Sequence, residues 1–171
     1  FAMDTTIKLY HYNYRTLKTY LFATIFIVGN IIFPQLVHSI PNGGLIFLPI
    51  YFFTLIGAYK YGFTVGLITA IISPLVNSWI FGMPPVGMLS IIITKSVLLA
   101  IGAAYVASKS QKVSLVGLLL AILFYQLTGL MFEWFYTGSL ILAYQDLRMG
   151  FPGLLLQWLG GYALLRSIQK L

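Results

Sequence analysis

Lys95 and Glu133 stand inside long apolar runs, residues 86–107 and 113–137. In hydrocarbon an ionisable side chain costs roughly 2.5–3.5 kcal/mol, so each must find a partner or a cavity. Two readings fit equally. In one, the two residues wall a pocket and hold the polar or charged groups of a small solute. In the other they form a structural ion pair between neighbouring helices, and buried pairs are weak evidence for either stability or function. The readings are compatible, because a pair can open when a solute offers a better partner. Lys95 lies about nine residues into its run, roughly 13 Å deep at the helical rise, and Glu133 about one turn from the end of its own.

The neighbouring residues sort onto faces. Gln126, Gly129, Glu133 and Thr137 follow helical spacing and form one polar, small-residue stripe. Gly66, Ala70, Ser73 and Asn77 line a second face, and Gly150, Gly153, Gln157 and Gly160 a third. Small residues let membrane helices approach closely, and Gly62-x-x-x-Gly66 is a packing motif in its own right. The glycines are therefore assigned to packing, and Asn77, Gln157 and Gln126 to a pocket. Trp79 and Trp134 can stack on an aromatic solute, but Trp and Tyr also gather at membrane interfaces. Asp146 and Arg148, in the stretch 138–150, are either solvated loop charges or ligand contacts. His38 is read first as a helix-end residue.

Catalytic patterns are absent. There is no G-x-x-x-x-G-K-S/T to cradle a nucleotide phosphate, no H-E-x-x-H and no G-x-S-x-G, so ATP-driven work must come from other subunits. Lys95 beside Ser96 does not make a serine–lysine dyad, because adjacent helical residues point about 100° apart. The chain has no cysteine, which excludes disulfides and thiolate metal sites, and His11 and His38 alone cannot build a metal centre. No cofactor or metal is expected, and the chain is read as non-catalytic.

The elements that position these residues follow from composition. Of 171 residues, 60% are hydrophobic and 8% charged, and the mean hydropathy is +0.93. That is more apolar surface than a soluble domain this size can hide, so lipid is the solvent. The runs are continuous rather than alternating, which selects helices over a barrel. A window of roughly nineteen residues gives six transmembrane helices at 19–40, 45–58, 63–81, 86–107, 113–137 and 151–168. The second is short, and Pro49 with Gly43, Gly44 and Gly57 predicts a kink or tilt.

The net charge of +7 is dispersed rather than clustered, which argues against nucleic acid and reports orientation instead. Lys8, Arg15, Lys18, Lys60, Lys109, Lys112, Arg166 and Lys170 all fall on one side of the six spans, against Arg148 on the other. The positive-inside rule then puts both termini in the cytoplasm. The expected organisation is one all-α membrane domain over 1–171, with 1–2 a residual tag scar ahead of Met3 and 3–18 a cytoplasmic segment. The first apolar run holds Asn30 and Pro34 and is followed by no small-residue cleavage site, so it is read as a retained helix. The outer connections are 41–44, 82–85 and 138–150, the last of them long enough to be a lid or a passive connector.

One stretch carries a resemblance. Leu48-Pro49-Ile50-Tyr51-Phe52-Phe53-Thr54-Leu55-Ile56-Gly57-Ala58-Tyr59-Lys60-Tyr61-Gly62, continuing through Val65-Gly66-Leu67, Ser73-Pro74-Leu75 and Gly82-Met83-Pro84-Pro85, resembles the S component of energy-coupling factor transporters. The resemblance implies a six-helix subunit of the bacterial inner membrane that captures a vitamin or related micronutrient from outside. It implies docking on a transmembrane coupling subunit that carries two ATPases, with the solute held near the outer surface. Docking patches in that family lie on the first span, often as paired alanines; here the matching pair is Thr19 and Ala23. Where relatives often carry an acidic residue in the fourth span, this chain has Lys95, so an anionic or strongly accepting ligand is expected. The competing expectation is a non-transporting membrane scaffold that uses the same glycine faces for partners.

Overall fold

The computed structural model describes residues 8–169; Phe1, Ala2 and Lys170 lie outside them. All regular structure among the described residues is helical. Four helices are long and apolar enough to cross a membrane: α1 (Leu17–Val37), α4 (Phe63–Phe81), α5 (Val86–Ser110) and α6 (Leu115–Thr137). Their faces are sorted the opposite way from those of a soluble bundle. On α1, Thr19, Ala23, Phe26, Asn30 and Pro34 are buried, while Leu21, Ile25, Val28, Ile32 and Leu36 are exposed. An apolar exterior around a partly polar interior is stable only where hydrocarbon is the solvent.

The expected second span, 45–58, is broken. Gly43–Phe47 forms a short helix, α2, Leu48 turns into the left-handed region with φ 45°, and a 3₁₀ turn at Pro49–Tyr51 leads into α3 (Phe52–Tyr61). Pro49 is the cause: it has no N–H to continue the ladder, and its ring disfavours helical geometry at Leu48. The ten residues of α3 rise only about 15 Å, half the hydrocarbon thickness.

Gly62, at φ 100°, is the whole connection to α4. The two helices then cross closely, because a Cβ on Gly66 would sit 2.8 Å from the Cα of Ala58. Gly66→Ala is expected to lower stability by about 1–2 kcal/mol, the lower part of the overpacking range. Gly87→Ala, whose new Cβ would meet nothing, is expected to leave the thermal midpoint in detergent unchanged.

α3 lies against α1, α4 and α5, and α5 packs along α4 and α6. After α6 the chain makes two short helices, α7 (Leu140–Ala143) and α8 (Gln145–Met149). It then runs helically through α9 (Phe151–Leu155), a π-helical turn at Leu156–Gly160 and α10 (Gly161–Ser167).

Lys60, Lys112 and the C-terminal turn that follows Arg166 gather at one end. There Tyr10 N–H donates to the Lys60 carbonyl at 2.7 Å and Tyr12 N–H to that of Tyr61 at 3.1 Å, and the Tyr10, Tyr12, Phe22 and Tyr61 rings stack. Lys60 differs from its reading as a loop charge. It is fully buried, because the connection after α3 is a single glycine, and its Nζ donates to the Ile168 carbonyl at 2.5 Å. A lysine at a helix C-terminus satisfies a carbonyl that the helix itself leaves unpaired.

Candidate functional site

The opposite end of the bundle, built from the α1–α3 connection, the α4–α5 turn and α7–α8, holds two recesses. The larger, about 490 Å³, is lined mainly by apolar side chains with Asn77, His38 and Asn42 among them. The smaller, about 80 Å³, has Lys95, Glu133 and Asp146 in its wall. Both share Gly44, Leu45, Ile50, Met88 and Ile92, so one partition separates them.

Lys95 from α5 reaches Glu133 on α6 and, at 2.7 Å, Asp146 on α8. The side chains of Lys95 and Glu133 are 3% and 7% exposed and that of Asp146 16%. One ammonium therefore serves two carboxylates, a formal excess of one acidic group in the cluster. Gly129, one turn before Glu133, explains the polar stripe on α6. The Lys95 stem lies against it, and a Cβ there would meet Lys95 Cγ at 2.8 Å. Thr137 donates its hydroxyl to the Glu133 carbonyl at 2.7 Å.

Asn77 and Asn30 organise the larger recess. Asn30 Nδ2 donates to Thr54 Oγ1 at 3.1 Å and to Ser73 Oγ at 3.2 Å, and its Oδ1 accepts from Phe53 N–H at 3.1 Å. That N–H belongs to the first turn of α3, which lacks helical acceptors because the chain breaks at Leu48 and Pro49. Asn77 Nδ2 donates to the Asn30 and Ser73 carbonyls at 3.0 and 2.9 Å. Among the described residues its Oδ1 has no partner, although the residue is only 1% exposed and lines the recess.

The structure gathers only some of the residues singled out by sequence. Lys95, Glu133 and Asp146 meet at the smaller recess and Asn77 lines the larger. Gln126 and Gln157 are buried and line neither recess. Gln157 Oε1 accepts from the Tyr125 hydroxyl at 2.8 Å in the contact between α6 and the π turn. Trp79 is 85% exposed and Trp134 44%, the latter stacked on Phe135, so both indoles face outward, as interfacial aromatics do. Arg148 is exposed as well. Thr19 and Ala23, expected to face a docking partner, are turned into the bundle. Thr19 donates to the Asn13 carbonyl at 2.5 Å, and Ala23 is 1% exposed.

Sequence reasoning missed the structural role of Asn30. Its signal was available, since Thr19, Ala23, Phe26, Asn30 and Pro34 recur at helical spacing as the inner face of α1. The seat that Gly129 gives to Lys95 was also read only as packing.

The fold and the buried polar clusters define the class: an all-helical membrane protein with recesses at the end opposite its basic residues. Compared with known proteins, the chain matches no family model, no curated protein and no solved structure.

Proposed function

We propose that this chain is the solute-capturing subunit of an ATP-driven importer of the energy-coupling factor kind, taking up a vitamin or related micronutrient. In this reading the chain crosses the bacterial inner membrane six times: through α1, α2 with α3, α4, α5, α6, and the helical stretch 151–167. The basic end lies in the cytoplasm, as the positive-inside rule requires, and the recesses open outward. The observation that carries the proposal is the Lys95–Glu133–Asp146 cluster held beside a cavity of about 490 Å³. Cavities of roughly 300–1,000 Å³ suit small ligands, and buried ions at membrane depth ordinarily mark a solute path.

Capture would proceed from the larger recess toward the cluster. The partition between the recesses includes Gly44 and Leu45 of α2, a five-residue helix bounded by left-handed residues at Asn42 and Leu48. Transfer inward is assigned to the coupling subunit and its two ATPases, through toppling of the whole bundle; this chain supplies binding only.

The test is a thermal-shift screen of vitamins and their precursors on the purified chain, with mass spectrometry of co-purifying small molecules. A compound that binds the folded state raises its stability by mass action, about 2.7 kcal/mol at a hundredfold excess over Kd. A capture subunit gives such a shift; a scaffold gives none with any compound and carries no small molecule through purification.

A further inference from the structure

We infer that the captured solute is a hydrogen-bond donor carrying positive charge, such as a protonated amine, an amidine or a cationic heterocycle. This rests on the capture reading above and reverses the anionic ligand that an unpaired Lys95 would favour. Lys95 is not unpaired, since Glu133 and Asp146 both engage its ammonium. Each carboxylate uses one oxygen on the lysine, Glu133 Oε2 and Asp146 Oδ2. Among the described residues no donor reaches the second oxygen of either. The larger recess adds an acceptor of its own, Asn77 Oδ1, which is buried and without a partner among the described residues while its Nδ2 is held by two carbonyls. The free polar atoms of Asn77, Glu133 and Asp146 are thus all acceptors. Asn42, His38 and Tyr51, which also line the recesses, carry side chains that can accept or donate.

Charge selects in the same direction. The smaller recess faces one lysine and two carboxylic side chains, a formal excess of one acidic group in a wall of low dielectric. A cation can bind the free carboxylate oxygens and complete the neutralisation with Lys95 still in place. Lys95 keeps one N–H beyond the two that its carboxylates take, so an anion must either use that donor beside two carboxylates or pull Lys95 away from both. Both routes impose like-charge repulsion, which is how a site rejects the wrong partner.

The experiment uses the purified full chain in lipid nanodiscs, with thiamine and pyridoxamine as cationic probes and biotin and pantothenate as anionic ones. Thermal shift and calorimetric titration are the readouts. At least one cation is expected to raise the melting temperature, and neither anion to do so. Asp146→Asn keeps the shape of a partly exposed side chain and leaves Glu133 on Lys95, and it is expected to weaken cation binding at least about tenfold. Glu133→Gln is the second variant, with ligand-free melting reporting whether each has folded. Binding of an anion, or cation binding unchanged in both folded variants, overturns the assignment of charge and leaves capture standing. No shift with either cation overturns the assignment of charge, and no shift with any compound of the wider vitamin screen overturns capture as well.

Discussion

Lys95→Met is expected to lower the stability of the chain by about 3–5 kcal/mol, the range for breaking a buried ion pair from one side. The substitution preserves the volume of the stem on Gly129 but removes the cation that Glu133 and Asp146 share. Glu133, 7% exposed, is then left without its cation, and the partly exposed Asp146 loses the same partner. If that imbalance is the cause, a triple variant with Lys95→Met, Glu133→Leu and Asp146→Asn is expected to recover most of the lost stability, because an apolar replacement of a buried network is often neutral. It is not expected to recover solute binding. Thermal or denaturant unfolding in nanodiscs measures the first effect and titration the second. Loss of binding without loss of folding in the triple variant separates the cluster's role in capture from its role in the fold.

The second large effect is expected at Asn30. Asn30→Leu removes the acceptor for Phe53 N–H and the donor to Thr54 and Ser73. The backbone donor cannot find a new partner at the broken start of α3. The expected loss is about 3 kcal/mol, the upper end for an unpaired buried group. Because Asn77 donates to the Asn30 carbonyl, a shift of α1 against α4 would also displace the free Oδ1 in the larger recess, and solute affinity is expected to fall with stability. Thr24→Val is the comparison: its hydroxyl makes only the exposed bond to the Tyr20 carbonyl, so little change is expected.

The fold was legible where apolar runs are continuous. Residues 63–81 were read with the limits that α4 has, and 86–107 and 113–137 lie within a few residues of α5 and α6. It was less legible at 45–58, where Pro49 signalled a kink but hydropathy could not reveal that Leu48 adopts φ 45° and splits the segment. Lys60 was misplaced for a related reason: charge counting assumes a solvated loop, and one glycine leaves no loop to solvate it.

The site was legible to the extent that ions in hydrocarbon demand partners. Lys95 and Glu133 could be singled out from that requirement alone, with pairing to each other one of two readings. Asp146 as the third member could not, because it comes from a short helix in a stretch without periodicity, and its register depends on Gly150 packing against Leu48. Trp79 and Trp134 show the converse. Their chemistry suits a ring-stacking pocket, but helical phase turns them to the outside.

Because the chain contains no cysteine, a single introduced thiol reports which side of the membrane a position faces. Met88 borders both recesses and is 39% exposed. Met88→Cys is predicted to react with a membrane-impermeant maleimide added to spheroplasts, and more slowly once a bound solute fills the recess, whereas Lys112→Cys at the basic end reacts only in inverted vesicles. Labelling of Met88→Cys from the cytoplasmic side, with Lys112→Cys reactive from outside, would contradict an outward-opening capture site.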